Sequence, residues 1–187
     1  MHYKKINIPN YDLAQKELMA FIEGHFDDLT VEKAVSVLHA DIEKHIPLLM
    51  DFFEKNSLKP DCYLVFFRRP FTDLPIHIDG TKDEQKDHFL GLQLPIKNCD
   101  NTFMRWFDAS GEDWKPVHYS DGNYCRVSDK EIPPVASVES TVPILARVDI
   151  PHQEINPNNR MRYLMSVRFN PHPMKLWETD DMENSLC

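Results

Sequence analysis

The chain has 187 residues (22.0 kDa), 42% of them hydrophobic and 27% charged, which suits one domain with a substantial core. A formal net charge of −9 and a pI near 5.4 argue against an extended nucleic-acid footprint, which needs clustered Lys and Arg. Four scattered cysteines (Cys62, Cys99, Cys125, Cys187) form no C-x-x-C pair, so neither a zinc framework nor a disulfide scaffold is expected.

The N-terminal run Met-His-Tyr-Lys-Lys-Ile-Asn-Ile-Pro lacks the continuous apolar core of a signal peptide, and no apolar run approaches the ~20 residues of a membrane helix. A cytoplasmic protein with no membrane partner is expected. Tyr11 to Glu23 places Leu13, Leu18, Ala20, Phe21 and Ile22 among charges, the pattern of an amphipathic helix. Thr30 reads as the N-cap of a second helix carrying Val31, Ala34, Val35, Val37, Leu38 and Ile42. Pro47 kinks that helix or opens another over Leu48 to Lys55. The helical part thus occupies residues 1–57.

From Asp61 the character changes to strands. Cys62 to Phe67 is a dense β-branched and aromatic run, followed by Leu74 to Asp79, Phe89 to Ile96 and Asn101 to Phe107. Gly80 to His88 is a polar, charged loop. Residues 109–140 are broken by Pro116, Gly122, Pro133 and Pro134, yet Trp114, Tyr119 and Tyr124 favour an ordered flap or an extra hairpin. Val142 to Ile150 and Met161 to Phe169 complete the strands, joined by a turn over 153–160. Residues 171–187 read as a loosely attached tail. Helices first and strands afterwards predict an α+β, mainly β layout in a single domain, with helices backing an antiparallel sandwich or barrel.

Within this frame, His77 and Asp79 lie two residues apart on one strand and so project from the same face. His152 shares parity with Val142, Ile144, Ala146, Val148 and Ile150, and continues their face if extension persists past Pro151. Two histidines and one carboxylate on one side of a metal, with the other positions open, suit non-haem Fe(II). Arg162 lies ten residues after His152, a spacing that suits a β-hairpin returning beside the first strand. It shares a face with Leu164, Ser166 and Arg168. An inward Arg needs an anion: a bound dicarboxylate held by a bidentate fork, or a nearby Asp or Glu. Tyr63 and Arg105 are further pocket candidates or ordinary strand residues, and His88 and His118 belong to loops. Arg68-Arg69 reads as a salt-bridging strand end, and His25, His39 and His45 as unrelated to metal.

The ordered set resembles the 2-oxoglutarate- and Fe(II)-dependent oxygenases. It comprises helices, a strand, His77-Ile-Asp79, the pair Leu90 to Cys99 and Thr102 to Phe107, a variable loop, His152, and Arg162-Tyr-Leu-Met-Ser-Val-Arg-Phe169. The likeness covers residues 60–170. It is strongest to small bacterial, phage and marine members, and more distant to the aspartyl/asparaginyl β-hydroxylase-like group, which lacks a counterpart of Asp79. The resemblance implies a double-stranded β-helix (jelly roll) with helices on its larger sheet, and His77, Asp79 and His152 as ligands of Fe(II). It implies Arg162 as the anchor of the distal carboxylate of 2-oxoglutarate, with Ser166 as helper and Arg160 and Arg168 as competitors. The implied reaction consumes 2-oxoglutarate and O₂, releases succinate and CO₂, and hydroxylates a C–H of a small molecule, amino acid or peptide side chain. The loops at 80–88 and 109–140 would then be substrate lids. Two alternatives stay open: a non-catalytic jelly-roll binding module, and a cupin-type metalloenzyme that does not use 2-oxoglutarate.

Overall fold

In the computed structural model, residues 1–80, 90–109, 114–118, 124–128 and 131–178 are described. In chain order they form β1 (Tyr3–Lys5), α1 (Tyr11–His25), β2 (Lys33–Val37), α2 (His39–Ile42) with a following 3-10 turn, α3 (Pro47–Lys55), β3 (Pro60–Arg68) and β4 (Thr72–Asp73). Then come β5 (Ile76–Gly80), β6 (Leu90–Lys97), β7 (Phe103–Phe107), β8 (Lys115–His118), β9 (Tyr124–Ser128) and β10 (Pro134–Glu139). The last elements are β11 (Ile144–Arg147), β12 (His152–Asn156), β13 (Arg162–Phe169) and α4 (Met174–Glu178). Among the described residues, no helix is long and apolar enough to cross a membrane.

The strands form two antiparallel sheets. One runs β1-β11-β6-β13-β3-β2, and the other runs β10-β7-β12-β5-β9-β8, with β4 also pairing β12. The helices cover the first sheet, whose central strands are the longer ones. Ala14, Leu18, Phe21 and Ile22 of α1 and Leu49, Phe52 and Phe53 of α3 recur at helical spacing and bury against Tyr63, Val65 and Phe67 of β3 and Leu92, Leu94 and Val167. The Tyr11 hydroxyl and the Gln15 amide both donate to the Pro95 carbonyl (2.8 and 2.9 Å), pinning α1 to β6. Pro95 cannot donate to the ladder, and the register of β13 slips beside it, where a strand proline is tolerated.

Between the sheets the interior is divided. On the β7, β10 and β11 side it is apolar: Met104, Trp106, Val138, Ile144, Ala146 and Val148. On the β5, β12 and β13 side it is lined by buried polar groups, and this is where the site lies.

Four expectations are corrected. The second helix is absent over most of its span, since 33–37 form an edge strand registered on β3 (Val35 opposite Val65) and only 39–42 are α-helical. Sheet pairing satisfied the backbone, and the β-branched Val35 and Val37 suit a pleated surface. The Thr30 amide and hydroxyl instead close a local turn on Asp28 Oδ1 (both 2.7 Å). Secondly, 142–150 is not one strand: β11 ends at Arg147, and the chain crosses to the other sheet before His152. Thirdly, the first half of the expected turn at 153–160 is strand, and β12 and β13 lie in opposite sheets rather than in one hairpin. Finally, the described part of the tail opens with α4, whose Leu176 and Trp177 pack on the helical core, while 179–187 lie outside the described residues. Residues 109–140 contain the β8–β9 hairpin, which extends the second sheet beyond β5, and β10, which pairs with β7. Of the loop expected at 80–88, Gly80 closes β5 and the rest lies outside the described residues.

Candidate metal centre

His77 on β5 and His152 on β12 are directly paired across the two strands, and their rings sit 4.3 Å apart between centroids. Asp79 follows on the same face of β5, and one donor atom from each of the three lies within 4.8 Å of the others. His77 Nε2 is 3.6 Å and His152 Nε2 3.8 Å from Asp79 Oδ1. Ligands at right angles on ~2.1 Å bonds stand about 3 Å apart, and each histidine Nε2 lies within about 1 Å of that spacing from Asp79 Oδ1.

The tautomers suit that role. Each Nδ1–H donates to the carbonyl two residues back, His77 to Pro75 and His152 to Ile150, both at 2.9 Å. A carbonyl can only accept, so Nδ1 carries a proton and Nε2 is turned towards Asp79. Burial, aided by the nearby His77, pushes the His152 pKa down to about 4 against the pull of Asp79. His152 is therefore neutral at neutral pH, the form a metal needs.

The crossover before His152 is itself fixed. Arg147 grips Asp149 through two hydrogen bonds of 2.6 Å, the Asp79 amide donates to Val148 O (3.0 Å), and the Phe107 amide donates to Pro151 O (3.0 Å). His152 is thus delivered to Asp79 by the break between sheets, not by the uninterrupted strand that parity predicted.

Near this cluster Arg162 and Arg168 are buried and Arg68 is partly buried, and each of the candidate arginines has its own partner. Arg160 is on the surface, paired with Asp100 at 2.9 Å. Arg162 is 1% exposed and faces the interior, but its Nη1 lies 3.4 Å from Glu154 Oε2, the carboxylate alternative that sequence reasoning left open. Arg168 is also buried. Its Nη2 donates to Asp79 Oδ2 (2.5 Å) and its Nη1 to the Ser166 hydroxyl. Ser166 thus serves Arg168, not Arg162. Gly91 makes room for this guanidinium, with which any Cβ at 91 would collide.

Arg68 and Glu154 were missed. Arg68 read as a strand-end residue with Arg69; instead Arg69 pairs with Glu32 at the surface (2.8 Å), while Arg68 turns inward to Glu154 (Nε to Oε2, 3.5 Å). Glu154 was placed in a turn. Its burial opposes ionisation, but Arg162 and Arg68 outweigh it and hold the carboxyl below its ordinary range. The signal was parity, because Glu154 follows His152 by two on a strand and Arg68 alternates with Val65 and Phe67.

Tyr63 faces away from the site and donates to Glu43 (3.1 Å). Arg105 and Gln153 line a cavity of about 750 Å³ on the outer face of the second sheet, the opposite face from the triad. His88 and the side chain of His118 lie outside the described residues.

No family model and no curated protein sequence matches the chain. Solved structures do match. EvdMO1 aligns with 90% of this chain at 13% identity and TM-score 0.54, and the aligned part is 47% of EvdMO1, so the chain spans about half of that protein. The non-haem monooxygenase ThoJ aligns with 90% of this chain and 73% of its own at 13% identity and TM-score 0.53. A Pseudomonas putida prolyl-4-hydroxylase aligns over 90% of this chain and 92% of its own at 12% identity and TM-score 0.49. In fold the chain is a double-stranded β-helix, the architecture its motifs led one to expect from their likeness to the 2-oxoglutarate- and Fe(II)-dependent oxygenases.

Proposed function

We propose that the chain is an Fe(II)- and 2-oxoglutarate-dependent oxygenase that hydroxylates a C–H of a small molecule, amino acid or peptide side chain. The observation that carries this reading is the convergence of His77 Nε2, His152 Nε2 and an Asp79 oxygen within 4.8 Å on two paired strands. Two nitrogens and one oxygen, with no fourth protein ligand grouped with them among the described residues, match ferrous iron better than a closed four-ligand zinc site. Bound there, iron would supply O₂ activation coupled to the oxidative decarboxylation of 2-oxoglutarate to succinate and CO₂.

The chain's own residues divide the remaining tasks. His77 and His152 hold their tautomers through backbone carbonyls, and Arg168 orients the second oxygen of Asp79. Arg162 offers the buried cation for the distal carboxylate. The apolar half of the interior keeps water from the reacting end. The net charge of −9 favours a small or peptide substrate over duplex nucleic acid.

Succinate formation from 2-oxoglutarate by anaerobically iron-loaded protein after O₂ addition tests the reading, with His77→Ala and Asp79→Ala as controls. Loss of turnover in both variants supports it; unchanged iron-dependent turnover in either sinks it. A second reading, a metal centre that does not use 2-oxoglutarate, draws on one observation: Arg162 already faces Glu154. That reading requires metal binding without any succinate.

A further inference from the structure

Arg162 and Arg68 are opposite partners in the β13–β3 ladder and project from the same face. Two like charges so placed repel unless an anion lies between them. Glu154 reaches across from the other sheet to supply one, 3.4 Å from Arg162 and 3.5 Å from Arg68. Two guanidinium cations therefore share one carboxylate, leaving one positive charge uncompensated in a buried place. The donors show the same deficit: Arg162 Nε is buried without a hydrogen-bond partner among the described residues, and Arg68 Nε meets Glu154 only at 3.5 Å, with no hydrogen bond. Arg162 is 1% exposed, so bulk water does not make up the difference.

The position of Glu154 is equally informative. It lies two residues beyond His152 on the same face, roughly 7 Å along the strand. That is close to the reach of an extended five-carbon dicarboxylate with one end at the triad. Glu154 thus holds a tethered carboxylate where the far end of such a molecule would arrive.

We infer that Arg68, Arg162 and Glu154 form a two-cation seat for one incoming carboxylate, in which Glu154 acts as an internal competitor that lowers the affinity of the co-substrate. On arrival, Arg162 turns to the ligand and Arg68 keeps Glu154, so that two cations face two anions. This assignment rests on the proposed function for the identity of the dicarboxylate, but it adds Arg68 and Glu154 to the binding machinery and sets the sign of each contribution.

The test uses the full chain loaded with Mn(II), titrated calorimetrically with 2-oxoglutarate and, separately, with glutarate, which lacks the keto group. Glu154→Gln should bind 2-oxoglutarate about fivefold or more tighter than wild type, and Arg68→Met should bind it weaker by a similar factor. Mn(II) affinity should stay level in both. Because Glu154→Gln leaves two cations unopposed and could fail to fold alone, the pair Glu154→Gln, Arg68→Met is included. This double variant retains Arg162 with no competitor, and it should bind either dicarboxylate tighter than Arg68→Met does. Equal or weaker binding in both Glu154 variants, with wild type binding 2-oxoglutarate, overturns the seat and leaves the oxygenase reading standing. Tighter glutarate binding in those variants, with 2-oxoglutarate binding no better than glutarate anywhere, supports the seat and overturns the reading. No dicarboxylate binding by any protein overturns both.

Discussion

His152 joins the chemistry of the site to the stability of the fold. Its folded pKa of about 4 lies below the ordinary 6.5, so between those values the unfolded chain binds the extra proton. Stability therefore rises with pH: the contribution is whole above about pH 6.5 and is lost as pH falls towards 4, amounting to roughly 3 kcal/mol. Urea titrations of metal-free protein at pH 7 and pH 4.5 should show that loss, and His152→Gln should flatten it. Arg168 makes a separate prediction. Arg168→Met removes the partner of Asp79 Oδ2 and should weaken Mn(II) binding by about 10- to 100-fold, as measured by calorimetry. At this scale the grouping of the triad was legible because His77 and Asp79 are local and share a strand. Glu154 was not, since its inward direction exists only if residues 152–156 are strand, and the Asn- and Pro-rich sequence that follows hid this.

Among the elements, β6 and β13 carry the most specific arrangement, because a glycine on one clears the path of an arginine on the other. Gly91→Ala should cost about 1–3 kcal/mol in chemical denaturation as the Arg168 guanidinium is forced aside. Combined with Arg168→Met the penalty should largely vanish, a coupling that separates the steric cause from a general loss of strand quality. Local pattern served the helices α1 and α3 well, where the apolar spacing and Pro47 marked the buried face and a start. It misled at 30–42, where the same residues satisfy a helical period and a pleated one. What decided between them was the free edge of β3, invisible until the sheet is assembled. The Val142–Ile150 reading failed for a related reason: hydrophobicity runs on through Val148 and Ile150 although the chain has changed sheets.

For the whole molecule, the triad ties β5 to β12 within the second sheet, and Arg168 links it to the first, so an ion held there should stabilise the fold by linkage. Mn(II) at about 100 times its Kd should add roughly 2.7 kcal/mol of stability, reversed by a chelator and absent in His77→Ala, by thermal or urea unfolding. The fold class was legible because helical and strand patterns segregate along the chain, whereas the pairing order was not, since long-range register leaves no mark on neighbouring residues. The Asp79 amide, bonded to Val148 O at the crossover, gives this architecture a clock. Deuterium can enter there only when β5 parts from the segment leading to His152, and the same parting pulls a carboxylate ligand away from an imidazole. Exchange at Asp79 and escape of the ion should therefore share one slow step, so that their rates converge once metal is bound.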